Sequence, residues 1–419
     1  MESKQYYSSG QEALNKVTKR KNRGLFFQTF FIFSTFLSVI FLVILLISII
    51  DEVFGYAALV DEKPLSSLSL QTSNINALSR DQLIALSNEY ISSGILRRIE
   101  YDKPLQERSN KEIVSLVEQY VIKPQVLRTW GLWESLTQKD EIEKFVTSQE
   151  NGYLSFRSWV TPSFLLGSQS SNPLIAGMRT AFLGSMWILL VTFIFAFPFG
   201  IGAAIYLQEY SPKNRLTNMM QLNIFNLSAV PSIIYGLLGL AFFVRVMEPV
   251  TSGAIFTHLS ATVANGRTIL SGGLTLGLLV LPIIIINTQE ALKAVPDSLR
   301  MSSYGLGATK WQTIWHHVLP ASFSRILTGT ILALSRALGE TAPLVVIGAS
   351  TFISVDPSGI FSKFTTLPIQ IYQWSARPQG AYRSIAAGAI ITLLVLLLII
   401  NSSAIIIRER LSRKKRLEA

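Results

Sequence analysis

Long apolar runs with few charges alternate with short polar links along most of this chain, and one long polar stretch interrupts them early. The apolar runs cover 25–50, 180–207, 216–244, 268–289, 326–351 and 384–407. Each meets the requirement of about 20 residues for an α-helix to cross about 30 Å of hydrocarbon. The first is too long for a signal peptide, whose apolar region is usually about 7–15 residues, and no small-residue cleavage site follows it. It reads as an uncleaved anchor, closed by Asp51 and Glu52.

Residues 51–172 have the pattern of a mainly helical unit outside the membrane. Ser79-Arg80-Asp81-Gln82 and Ser109-Asn110-Lys111-Glu112 both fit the capping box, in which each side chain satisfies the other residue's backbone donor. After the second box, Ile113, Leu116, Val117, Tyr120 and Val121 recur at helical spacing, and Lys123-Pro124 ends the helix. A further helix is predicted over 139–147. Asn151-Gly152 then makes a turn into a short alternating strand, Tyr153-Leu154-Ser155-Phe156. The segment is long enough to bury a small core, and its capping boxes predict a part that folds without the spans.

Composition enters mainly through charge. The net charge is +11, and its clusters sit at the two ends, around Lys16–Arg23 and Arg408–Arg416. Basic flanks mark cytoplasmic membrane edges rather than a nucleic-acid surface. With six spans, both tails and the short basic links fall on the cytoplasmic side, and 51–172 falls outside. There is no cysteine, so no disulfide braces any exported part. His316-His317 places its two rings on different helix faces, and no cluster of metal ligands is apparent. Gly305-Leu306-Gly307-Ala308-Thr309-Lys310 lacks the ending of a phosphate-binding loop. Nothing in the sequence could hydrolyse ATP.

Two charges fall inside the fifth run. Arg336 and Glu340 are spaced to share one helix face, where an ionised group costs at least about 2.5–3.5 kcal/mol in lipid. Arg before Glu is the weaker order for such a pair, so helix stability is a poor reason to keep both. A structural ion pair and an anion station remain as readings, the second because guanidinium gathers a tetrahedral oxyanion through forked hydrogen bonds. In the third run, Pro231 leaves a carbonyl unpaired, and Gly236 and Gly239 either weaken the helix or allow close packing. Ser232 and Tyr235 flank that break. A broken helix at mid-membrane suits a substrate path, since freed backbone groups are tolerated where they line a cavity.

The connector between the fourth and fifth runs, 290–320, holds two short helical patterns. Pro296, Asp297 and Ser298 start the first, Gly307 interrupts, Thr309 caps the second and Pro320 ends it. Gly307, followed after an interval by Leu319-Pro320, resembles the cytoplasmic EAA loop with which ABC importer permeases dock onto their ATPase. Val295-Pro296-Asp297-Ser298-Leu299-Arg300, Gly305 to Trp311, and Arg336-Ala337-Leu338-Gly339-Glu340-Thr341-Ala342-Pro343-Leu344 are similar to the PstA family of phosphate-specific permeases. The likeness covers 172–408 and leaves 51–171 outside, as an enlarged first extracytoplasmic loop. One departure stands out: Met301-Ser302-Ser303 occupies the place of the acidic motif that names the loop.

The resemblance implies an all-α polytopic membrane protein with six transmembrane helices of the importer-permease type. Its parts would be a tail and anchor over 1–50, an extracytoplasmic domain over 51–172, a permease core over 173–408 and a basic tail over 409–419. It implies a non-enzymatic subunit of an inorganic phosphate importer in the bacterial inner membrane, with no cofactor of its own. ATP and Mg would be used by a PstB-like ATPase dimer; a PstC-like second permease and a PstS-like phosphate-binding protein would complete the assembly. It assigns Arg336, Glu340, Thr341, Ser232 and Tyr235 to the substrate path, and Arg300, Gly307, Ala308, Thr309, Leu319 and Pro320 to the ATPase coupling loop. Other readings are a permease for another oxyanion, a stand-alone ion-coupled transporter, and a membrane sensor; a lone carrier has no use for a docking connector.

Overall fold

The computed structural model describes residues 10–63, 75, 78–149, 151–255, 265–350 and 352–418. The first apolar run lies in helix α1 (Gly10–Val53), exposed along nearly its whole length, as befits a helix whose surroundings are lipid. No loop follows it. The chain passes directly into β1 (Phe54–Asp61), the centre of a three-stranded antiparallel sheet of order β2-β1-β3.

Between β1 and β2 lie α2 (Arg80–Tyr90), α3 (Ser93–Asp102) and α4 (Asn110–Val117). Both predicted capping boxes form, at Ser79 and at Ser109. Lys123, at φ 48°, ends the helical stretch and turns the chain into β2 (Pro124–Thr129). Next come α5 (Leu132–Thr137), α6 (Lys139–Thr147), β3 (Gly152–Ser158) and α7 (Pro162–Leu166). The strand at Tyr153 and the helix over 139–147 stand where the pattern put them. β1 escaped the sequence reading because Ala57, Ala58 and Leu59 are all buried, so no polar-apolar alternation marks it.

The sheet also decides how this segment relates to the spans. Ala57, Leu59 and Trp159 share one core with Trp374, Ala381, Tyr382 and Ile385, so the sheet packs against the last part of the chain. Helices α2 to α4 keep a core of their own around Leu83, Ile113 and Val117.

The membrane part continues with α8 (Arg179–Ile205), which a wide turn prolongs to Tyr210, and α9 (Arg215–Ser228). Then follow α10 (Ser232–Gly239), prolonged to Val246, α11 (Glu248–Thr251) and α12 (Ile269–Lys293). The connector forms α13 (Asp297–Gly305) and α14 (Lys310–Thr313), and the fifth run forms α15 (Leu319–Gly339) and α16 (Ala342–Ile347). Helices α17 (Leu367–Ser375) and α18 (Gly380–Glu418) complete the described chain. Among the described residues, 5 helices are long and apolar enough to span a membrane, or 6 if the bent pair α9 and α10 is one span.

Of the two readings of the third run, the broken helix is the one that forms: α9 and α10 meet at 101° around Pro231. Two boundaries differ from the sequence reading. Pro320 ends nothing, because Lys310–Gly339 is one continuous helix with a wide turn over Ile314–Val318 just ahead of the proline. A wide turn shifts the hydrogen-bond ladder, so the donor that Pro320 lacks is not demanded at the regular spacing. The fifth helix stops at Gly339, well short of the predicted end at Thr351, which lies outside the described residues.

Helices α8 and α12 form the tightest pair. A Cβ on Gly273 would come within 2.5 Å of Val191 Cγ1, and Thr192 Oγ1 donates to the Gly273 carbonyl at 3.0 Å. Small residues let the backbones close up where lipid supplies no hydrophobic drive. The core built on this pair takes in Ile188, Leu276 and Val280, and reaches Ala333 and Ala337 of α15.

Candidate substrate path and coupling loop

Two prolines cut two helices, and packing brings the cuts together. Pro343 would press its ring on the carbonyl of Gly339, four residues back, if α15 ran on, so the helix ends there. Glu340 is extended, at φ −77° and ψ 118°, and α16 begins two residues later. In the other cut, Pro231 has no N–H to offer the carbonyl of Leu227. The Tyr235 hydroxyl donates to that carbonyl at 2.8 Å, alongside the Val230 N–H at 3.1 Å. Tyr235 is buried and occupied as a brace across the break. A Cβ on Gly236 would come within 2.7 Å of Pro343 Cα, which sets α10 directly on α16.

The cuts lie deep in the spans. Asn287 Nδ2 donates to the Gly329 carbonyl at 3.4 Å, which fixes the level of α15 against the antiparallel α12. Arg336 is seven residues further along, about 10 Å by the helical rise, and so stands near the middle of α12, whose ends are Ile269 and Lys293.

Arg336 and Glu340 do not share a helix face. Arg336 is in the last turn of α15, where a cation is favoured by the helix dipole, and Glu340 is the first residue past the end. Arg336 Nε lies 3.5 Å from Glu340 Oε1, the outer limit of a hydrogen bond, and the two side chains are 56% and 20% exposed. The guanidinium thus keeps most of its donors open. Thr341 and Ser232 are half-buried at the starts of α16 and α10. A further polar contact joins α15 to α18: Ser335 Oγ donates to Asn401 Oδ1 at 2.7 Å. Asn401, a lone amide in an apolar run, was the available sequence signal for it.

The connector is a folded lever. Gly307 turns it at φ 82° with nothing near its absent side chain, so the conformation and not the space calls for glycine. Thr309 and Gln312 form a capping box at α14, and Ser303 and Thr313 share a buried hydroxyl hydrogen bond of 2.8 Å that ties α13 to the following helix. Ala308 lies beside the turn, half-buried. Leu319 and Pro320 stand instead in the wall of a groove of about 1150 Å³ between α8 and α15, with Trp311 and Trp315. At the lever's tip, apolar side chains face outward: Leu306 is 90% exposed and Met301 is 68% exposed. Arg300 is turned inward, onto Glu209 at the end of α8's extension, at 2.8 Å. Glu209 went unremarked in the sequence, though an acid leading a short basic link was the signal for it.

Residues 196–417 match the family described as binding-protein-dependent transport system inner membrane component. The chain belongs to that family. Its members are the membrane-embedded, non-enzymatic components of ABC importers, which work with a separate ATPase and a binding protein. This permease is 36% identical over 218 residues to the phosphate transport system permease protein PstA of Yersinia pestis, covering 52% of this chain and 67% of that protein. It is 30% identical over 228 residues to the probable ABC transporter permease protein YqgI of Bacillus subtilis strain 168, covering 52% and 71%. Among solved structures, a chain of the inward-facing MetNI methionine ABC transporter superposes with a TM-score of 0.40 at 18% identity. That superposition covers 58% of this permease and 99% of the MetNI chain. The family match leaves the segment before residue 196 outside it.

Proposed function

We propose that this permease passes inorganic phosphate across the bacterial inner membrane, receiving it from a PstS-like binding protein beside a PstC-like second permease, with a PstB-like ATPase dimer using ATP and Mg. The observation that carries the reading is Arg336: a guanidinium at mid-span, at a helix end, held among the described residues by one long contact of 3.5 Å. An uncommitted cation costs too much in lipid to be idle and belongs where a cavity or a partner meets it. Forked donors suit a tetrahedral oxyanion. Glu340 beside it accepts a hydrogen bond from a protonated phosphate and repels sulfate, which has no proton to give. Ser232 and Thr341 add hydroxyls at the neighbouring helix starts. PstA relatives at 36% identity support phosphate over another oxyanion.

The coupling loop is read as the ATPase contact, through the outward Leu306 and Met301 rather than through the missing acid. Basic flanks set the termini and this loop on the cytoplasmic side and put 51–172 outside.

The test is uptake of labelled phosphate by the reconstituted complex, with the amount of complex measured alongside. The double variant Arg336→Gln with Glu340→Gln is expected to assemble and to import nothing above background. Full uptake by that variant would remove the site assignment and leave the family membership untouched.

A further inference from the structure

The guanidinium of Arg300 is held by three parts of the fold at once. Nη1 donates to the Val295 carbonyl at 2.8 Å and to Asp297 Oδ1 at 3.2 Å; Nη2 donates to the Leu292 carbonyl at 2.9 Å and to Glu209 Oε1 at 2.8 Å. Leu292 is in the last turn of α12 and Val295 lies two residues past its end; the Leu292 carbonyl also accepts the Val295 N–H at 3.2 Å. Arg300 itself belongs to α13, and Glu209 ends the extension of α8. The Arg300 and Glu209 side chains are 12% and 7% exposed. Asp297, at 90%, adds little.

A simple helix cap does not require this. The two carbonyls would suffice, and a buried ion pair is often no more stabilising than apolar residues of the same volume. What the carboxylate from a distant loop adds is fixed geometry between elements. We propose that Glu209 and Arg300 are positioning residues for energy coupling, a joint that makes α13 one rigid body with the packed α8 and α12. Force applied to the lever then reaches those two spans, instead of being absorbed where the connector leaves α12. The proposal rests on the docking role given above to the coupling loop.

The chain has no cysteine, so one introduced at exposed Ser302 reports docking without interference. The experiment uses the complete reconstituted complex, loaded binding protein and inorganic phosphate. It reads three quantities: Ser302→Cys cross-linking to the ATPase, the amount of complex, and ATP hydrolysed per phosphate carried. Glu209→Gln removes the charge while keeping the shape; Arg300→Lys keeps the charge but loses the fork. With cross-linking retained, both are expected to raise the ATP consumed per phosphate about fivefold or more, within the usual range of coupling between sites. A purely structural pair would lower the amount of complex and leave that ratio unchanged in whatever complex remains, and this result overturns the proposal. If Ser302→Cys in the otherwise unaltered chain gives no cross-link, the docking reading falls and takes this joint with it. Cross-linking with an unchanged ratio sinks the joint alone.

Discussion

Arg300 and Arg336 both stand near the end of an apolar helix with a glutamate alongside, and the fold treats them in opposite ways. The Arg300 side chain is only 12% exposed, and four of its five donors are engaged, at 2.8 to 3.2 Å. Arg336 is half exposed, and its contact with Glu340 is stretched to 3.5 Å. Saturation separates the roles. A guanidinium with four donors spent within the protein fixes elements to one another, whereas one with open donors in a membrane span is available to a ligand or to the facing subunit.

The largest effect expected from this contrast is on transport. Arg336→Gln should lower labelled phosphate uptake by tenfold to about 100-fold, the loss of charge-assisted hydrogen bonds to the anion, with the amount of complex unchanged. Matching loss of complex and uptake would make Arg336 and Glu340 a structural pair and erase the contrast. Next comes assembly. Arg300→Met strands the buried Glu209 carboxylate, a penalty of about 3–5 kcal/mol, and the membrane content of intact complex should drop steeply. Adding Glu209→Leu should restore most of that content, measured by quantitative blotting, because the neutral pair no longer buries a lone charge.

A smaller effect is expected at the lever. Gly307→Val meets no steric obstacle but forces a branched residue to φ 82°, a strain of about 1–2 kcal/mol. Stimulation of the ATPase by loaded binding protein should fall several-fold while the spans remain inserted; unchanged stimulation would free the turn from any coupling role. The smallest effect lies far from both arginines. The Ser109 backbone N–H bonded to Glu112 holds that carboxyl below its usual value of 4.5. Its stabilising contribution is therefore present above pH 4.5 and is lost as pH falls through the lowered value. Glu112→Gln should melt roughly a degree lower at neutral pH, and the gap should close in acid; a gap constant with pH would deny the carboxylate its capping role.

The membrane runs were legible because lipid imposes a length and an apolar composition on each segment separately. Capping boxes at Ser79 and Ser109, and the cap at Thr309, were legible for a similar reason, since each is complete within four residues. Of the site, Arg336 and Glu340 announced themselves as charges in an apolar run, and Gly307 as the turn between two helices. Tyr235 was visible as part of a motif, yet its engagement with the Leu227 carbonyl was not, because hydroxyl partners across a kink depend on the angle of the kink.

What the sequence determined by itself is local: which stretches can live in lipid, where helices start, and that charge sits where lipid disfavours it. Tertiary structure decided the rest. Pro231 and Pro320 are the same residue in two apolar settings, yet one sits at a 101° bend and the other inside a continuous helix. The difference lies in a wide turn and in neighbours distant along the chain, which fix whether a missing donor opens the helix or is accommodated. Glu209 and Arg300 lie 91 residues apart, and they meet only because α8 and α12 pack side by side. Pairing of that kind comes from the summed packing of whole helices, which no single stretch of residues encodes.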